Sequence, residues 1–475
     1  MGSIKSLAHD TALYGISSIV GRFINWLLVP LYTKILTTGE YGIVTNLYSY
    51  VAIILIMLTY GMETGFFRFA NREPDEKKVY STCLSSLAIT SMLFIALVAL
   101  FLPHLSSALD CPDHPSYVMM LASAVAIDAF SAIPFSYLRF QNKALKFVVL
   151  KCTNIAINIA LNLFFFLAVY NPEIAEGYIF ISNFIASLLL LPLLFKEITC
   201  VRWRLDRELL RRILRYSFPL LILGLAGQMN QSLDKIMLPY IAENRAVGLA
   251  EVGIYGACCK VAVIMMMFTQ AFRFAYEPFI FAQNRDSGEG KYRAYADAMK
   301  FFVIFAMVIF LGVMFYMPLL QHFIGAEFRS GLRVVPIIMI GDIFFGVYYN
   351  LSVWYKLTDK TIWGTWFSLI GLAVTVLLNL LLVPRFSYMG CAWAAFSCYG
   401  VMMVLSYLVG RKQLPIRYPL VRMGLYFAGA LVLYALGSMV NTGNVWLTMA
   451  ARTPLLIVYM LAIVKFERIY LPVKK

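Results

Sequence analysis

Runs of about twenty apolar residues recur from one end of this chain to the other, and no other feature restricts its fold so severely. In hydrocarbon every backbone N–H and C=O must find its partner within the segment, so such runs cross as helices. We count about fourteen: residues 11–32, 41–65, 80–102, 116–137, 147–169, 177–195, 217–242, 252–276, 300–320, 333–353, 361–383, 389–409, 419–440 and 446–464. Of the 475 residues 61% are hydrophobic and 14% charged, and the mean hydropathy is +0.76. Connections reach only about 20 residues, too short for a separate soluble domain. The first run is too long, and continues too directly into the rest, to read as a cleaved signal. The expected fold is an all-α, multi-pass integral membrane protein.

The net charge of +15 follows the loops and gives no reason to invoke nucleic acid. Of forty Lys and Arg, thirty fall in segments on the side of the N-terminus, with Lys151 counted among them. The opposite loops hold five: Lys34, Arg245, Arg329, Arg333 and Arg385. Arg22, Lys235, Lys260, Arg273 and Arg452 lie inside spans. The positive-inside rule places both termini in the cytoplasm, as an even span count requires. The eight cysteines show no metal-ligand spacing, and only Cys111 falls in an outer loop. They read as small packing residues.

The chain repeats itself. Phe67-Arg68-Phe69-Ala70 returns as Phe272-Arg273-Phe274-Ala275, and Glu40-Tyr41-Gly42 after Pro30 returns as Glu251-Val252-Gly253 after Pro239. Leu161-Asn162-Leu163 returns as Leu378-Asn379-Leu380, and the basic connection Arg139 to Lys143 as Lys356 to Lys360. The order is kept, and the unit is six helices. An even unit keeps both copies in one orientation, so a pseudo-two-fold along the membrane normal is expected. The expected domains are a six-helix lobe at 1–200, an amphipathic cytoplasmic linker at 201–216, a second six-helix lobe at 217–412, and two additional helices at 413–475. In the linker Leu205, Leu209, Leu210, Ile213 and Leu214 share one face among arginines, a pattern for a helix lying on the inner leaflet or for a solvated linker.

Ionisable residues at membrane depth are functional candidates by default, because each costs roughly 3 kcal/mol or more to bury there. The densest stretch is Gly227 to Pro239. On a helix Gln228, Asn230, Gln231, Ser232, Asp234 and Lys235 share one arc, and Leu225, Met229, Leu233, Ile236 and Met237 the other. Arg22 and Asn25 continue a polar stripe from Thr11, Gly15 and Ser18 on the first helix. Asp128, Lys260 and Asp342 complete a deep set whose charges balance, so mutual pairing and a water-filled cavity are both open readings. Cations suit phosphate oxygens, and deep carboxylates suit a coupling ion. Glu63, Arg68, Arg273 and Glu277 lie near cytoplasmic helix ends and form a candidate gate. No enzymatic constellation appears: Gly288-Glu289-Gly290-Lys291 lacks the spacing of a phosphate-binding loop, and the four histidines are scattered.

The opening A-L-Y-G-I-S-S-I-V-G-R-F-I-N-W-L-L-V-P-L-Y-T-K-I-L-T-T-G-E-Y-G resembles the start of Wzx-type polysaccharide exporters of the multidrug/oligosaccharidyl-lipid/polysaccharide superfamily. N-Q-S-L-D-K-I-M-L followed by G-I-Y-G-A-C-C-K resembles the seventh and eighth helices of that family. The resemblance implies a flippase carrying an undecaprenyl-pyrophosphate-linked oligosaccharide across a bacterial inner membrane by alternating access, for lipopolysaccharide, O-antigen or capsule synthesis. It implies no bound cofactor, coupling to a proton or sodium gradient, and a polysaccharide polymerase and other assembly proteins as partners beside membrane lipids. Arg22, Asn25, Gln231, Lys235 and Lys260 then become cavity residues for substrate, and Asp128, Asp234 and Asp342 the ion-coupling carboxylates. Two alternatives share the fold. Lipid II flippases have the two extra helices, but only Arg22 matches their first-lobe arginines. Multidrug antiporters use a first-lobe carboxylate, for which Asp128 is the candidate.

Overall fold

The computed structural model of the protein describes residues 23–283, 290–358, 360–414, 416–440 and 442–467. Among them the regular structure is helical. In order the helices are α1 (Val29–Ile35), α2 (Thr38–Thr59), α3 (Met62–Ala70), α4 (Glu76–Leu100), α5 (Leu102–Ala108), α6 (Pro115–Phe140), α7 (Ala144–Ala168), α8 (Gly177–Leu193), α9 (Phe195–Thr199) and α10 (Arg207–Ile241). They continue with α11 (Arg245–Gln283), α12 (Gly290–Phe315), α13 (Met317–Leu320), α14 (Val335–Leu351), α15 (Val353–Leu357), α16 (Ile362–Phe386), α17 (Tyr388–Gln413), α18 (Leu420–Met439) and α19 (Val445–Glu467). Eleven helical segments are long and apolar enough to cross a membrane, and Gly177–Leu193 is a shorter apolar helix. The protein is an all-α, multi-span membrane protein. Most of the expected first span lies outside the described residues, Arg22 included.

Exposed side chains confirm the solvent. Met439 is 81% exposed, Val421 78% and Leu100 71%, on long helices that meet apolar surroundings only in hydrocarbon. Packing between helices therefore depends on fit and hydrogen bonds more than on expulsion of water.

Local chemistry sets the helix ends. Thr37-Thr38-Gly39-Glu40 forms a capping box at the start of α2, with the Thr37 amide donating to Glu40 Oε2 at 2.8 Å. The run expected as one span at 41–65 lies within a single apolar segment, Thr38–Ala70, that is bent part-way along. Tyr60 and Gly61 take left-handed φ values of 33° and 70° between α2 and α3. Glycine accepts that backbone readily and tyrosine does not, so the bend holds a strained residue.

The chain divides into two compact units, residues 1–253 with 379–387, and residues 254–378 with 388–475. In the first, Met62, Phe66, Tyr80, Tyr137, Leu209 and Ile213 form one buried cluster. The rings of Tyr80 and Tyr137 stack at 4.1 Å. This cluster corrects the expectation of an interfacial helix at 201–216. The helix begins at Arg207 and continues as α10 for 35 residues, and its apolar residues Leu209 and Ile213 are buried against protein. The stretch before it is a strap fixed to α4: Ser81 Oγ donates to the Arg202 carbonyl at 2.7 Å and accepts from the Arg204 amide at 2.8 Å.

Helix α10 joins the first unit along α2, where Asn46 Nδ2 donates to the Lys235 carbonyl at 2.9 Å. Where α2 and the start of α11 cross, the two glycines of the repeated Glu-x-Gly motif touch. A Cβ on Gly42 would lie 1.8 Å from the Leu249 carbonyl oxygen, and one on Gly253 would lie 2.0 Å from that of Thr38. In the second unit Trp354, Phe367, Cys398 and Met402 lie in a core built from α14–α17. Lys300 on α12 pairs with Glu467 at 2.6 Å, which ties the end of α19 to that unit.

Candidate functional site

The polar arc of α10 is turned into protein. Asn230, Ser232 and Asp234 are buried, with Asp234 only 4% exposed. Lys235 Nζ reaches both Asp234 oxygens, at 3.0 and 3.1 Å, and the Gln231 carbonyl at 3.0 Å. The Lys235 amide also donates to Asp234 Oδ1 at 2.8 Å. Gln228 Nε2 donates to Ser232 Oγ, one turn along the same face. The arc thus carries a neutralised ion pair in the middle of a helix, held against α2 through Asn46.

A second cluster links α2, α3, α6, α7 and α8 of the same unit. Ser187 Oγ on α8 donates to Asp128 Oδ1 on α6 at 2.9 Å. Tyr48 on α2 hydrogen-bonds the Asn183 side chain and interacts electrostatically with Asp128. Lys151 on α7 interacts electrostatically with both Asp128 and Glu63, and its ammonium lies 4.2 Å from the centre of the Phe135 ring. Glu63, half-buried in the first turn of α3, accepts from Ser136 Oγ at 3.4 Å. Lys151 was counted with a cytoplasmic loop on sequence, and the structure places it inside a helix. It is the eighth residue of α7, about 10 Å beyond the helix start at 1.5 Å per residue. A sequence signal did exist. Lys151, Asn154, Asn158 and Asn162 form one polar stripe along α7. Asn154 Nδ2 donates to the Ala186 carbonyl at 2.9 Å, and Asn162 is fully buried.

The remaining candidates are dispersed. Asn25 is exposed, in a helical turn before α1. Lys260 is exposed on α11 and Asp342 is buried on α14, both in the second unit. Arg68 stacks over the Tyr216 ring at 4.0 Å, and Arg273 over the Tyr349 ring at 4.3 Å. The two arginines of the repeated tetrapeptide therefore make the same kind of contact, each to a tyrosine of its own unit. Lys356 Nζ lies on that same Tyr349 ring at 4.4 Å. Glu277 lies on α11, and its side chain is outside the described residues.

Outside the spans, burial pushes the Cys111 thiol up to about 12, so this loop cysteine is buried and inert as a nucleophile. The carboxyl of Asp206, the N-cap of α10, is held below its usual range by the Leu209 amide and then by Lys78 at 2.6 Å. Among the described residues no group of three or more His, Cys, Asp or Glu could hold a metal ion.

This geometry can be set beside known proteins. No curated protein matches the chain by sequence. The lipid II flippase MurJ in an inward closed conformation shares the fold with a TM-score of 0.75 at 15% identity, over 96% of this chain and 99% of the other. An inward-facing multidrug resistance MATE family transporter gives 0.67 at 13% identity, over 82% and 94%. The Vibrio cholerae MATE transporter VcmN gives 0.61 at 14% identity, over 88% and 99%. The family model described as "Polysaccharide biosynthesis protein" matches residues 7–272, more than half of the sequence. The chain therefore belongs to the polysaccharide biosynthesis protein family.

Proposed function

We propose that this protein is a flippase that carries a lipid-linked oligosaccharide, joined through a pyrophosphate to a polyprenyl lipid, from the cytoplasmic to the outer leaflet of a bacterial inner membrane. The family match carries this reading, and the long helices joined by short connections among the described residues suit a protein whose work is done within the membrane. In this reading fourteen spans form two six-helix lobes and two added helices, both termini are cytoplasmic, and the lobes alternate access to a central cavity. Arg22, Asn25, Gln231, Lys235 and Lys260 meet the substrate. Asp128, Asp234 and Asp342 carry the coupling ion, and Glu63, Arg68, Arg273 and Glu277 guard the cytoplasmic mouth.

The Asp234–Lys235 pair supports a specific step. In the pair the ammonium is already neutralised, so a pyrophosphate must displace the carboxylate to engage Lys235. Cargo that engages Lys235 thus leaves the Asp234 carboxylate without this partner. The test is surface glycan in cells whose only copy is Asp234→Asn, Lys235→Met or Arg22→Ala. Each is expected to reach the membrane and to lose export. Normal glycan in all three removes these residues from the site. Drug sensitivity with intact glycan in cells lacking the protein would instead favour an antiporter.

A further inference from the structure

The first unit carries a groove that the transport reading does not use. It opens between α4, α6 and α8, has a volume of about 370 Å³, and is lined by Ala88, Met92, Ile95, Ile127, Leu191 and Trp203 among others. Met92 is 68% exposed at its edge, on a span whose outer face is apolar, so the groove opens toward hydrocarbon. One end is closed by the strap between α9 and α10. Trp203 is fixed there: its Nε1 donates to the Ile198 carbonyl at 3.0 Å, and its ring lies 5.9 Å from that of Phe130. Ser81 holds the backbone on both sides of Trp203 to α4.

A further observation points to a ligand. Arg202 and Arg204 flank Trp203 and are exposed. The nearby acids are already engaged, Asp206 by Lys78, Glu197 by Lys146 and Glu73 by Arg212, and among the described residues neither arginine has an acidic partner. From Ala88 to Ile95 the groove follows α4 for about 10 Å, within the roughly 15 Å of hydrocarbon in one leaflet.

We infer that this groove holds one acyl chain of an anionic phospholipid from the arginine-rich leaflet, with its phosphate between Arg202 and Arg204 and Trp203 at the hydrocarbon boundary. The shape suits part of an acyl chain: an apolar slot under a cationic rim and an interfacial tryptophan. It does not depend on the transport reading, because nothing in it requires cargo to move.

Native mass spectrometry of the full-length protein in detergent tests this, with phosphatidylglycerol and phosphatidylcholine of identical chains as probes. The wild type is expected to retain one phosphatidylglycerol about tenfold more tightly than phosphatidylcholine. The double variant Arg202→Gln/Arg204→Gln should bind the two lipids equally. Ala126→Leu, which fills the groove, should retain neither, and Ser91→Leu serves the same end if Ala126→Leu does not fold. Equal retention by the wild type overturns the proposal, as does a preference that survives loss of both arginines. So does displacement of phosphatidylglycerol by an equal concentration of undecaprenyl phosphate, which would make the groove a cargo site.

Discussion

Asp234 and Lys235 are neighbours in sequence and partners in space, with side chains 6% and 18% exposed. Removing one partner of a buried pair leaves a charge that is costly to keep, whereas replacing both is often neutral. Asp234→Ala is therefore expected to lower stability by about 3 kcal/mol, and Asp234→Asn/Lys235→Met to recover most of it. Thermal unfolding in detergent measures both. Recovery of stability without recovery of export would separate the structural part of the pair from its transport part. Lys151 makes a similar prediction in the other cluster. Lys151→Met should depress glycan export as far as Asp128→Asn does, and Lys151→Arg should retain part of it. The first pair was legible in the sequence because two charges interrupt an apolar run. Lys151 was not, because it follows a basic connection closely and joins its charge count, while the asparagine stripe that continues it carries no charge.

At the scale of the element, burial decided what periodicity left open. The apolar stripe of Leu209 and Ile213 is equally suited to lipid headgroups or to protein, and only the tertiary contact with Phe66 and Tyr80 selects protein. The bend at Tyr60 and Gly61 was equally hidden, since the apolar pattern runs through it. The junction before α10 has a pH signature. Because the Asp206 carboxyl sits below its usual range, its cap contributes fully above the unfolded value near 4. That contribution is lost as pH falls through the depressed folded value. Amide exchange at Leu209 and Leu210, corrected for intrinsic rate, should accelerate below about pH 4, and Asp206→Ala should remove the pH dependence. The crossing of α2 and α11 gives a further prediction. Gly42→Ala or Gly253→Ala sets a methyl against a backbone carbonyl that no side-chain rotation can relieve. Each should cost about 2 kcal/mol, read as a lower unfolding temperature.

For the whole molecule, the recurrence of spans determined the class before any detail, and the loop charges assign its orientation. A labelling experiment tests that orientation. In a background without other cysteines, Asp113→Cys should react with a membrane-impermeant maleimide in intact cells, and the exposed Cys200 only after the membrane is opened. Cys111, buried and held as a thiol, is the wrong reporter despite its place in the same loop as Asp113. The repeats are legible too, but their meaning emerges only in three dimensions, where two copies of one motif touch. Helices usually interlock like gears, side-chain ridges seated in grooves, and that meshing fixes the angle at which they cross. At Gly42 and Gly253 there are no teeth. Backbone rests on backbone, so the two helices stand closer here than any pair of interleaved side chains would let them.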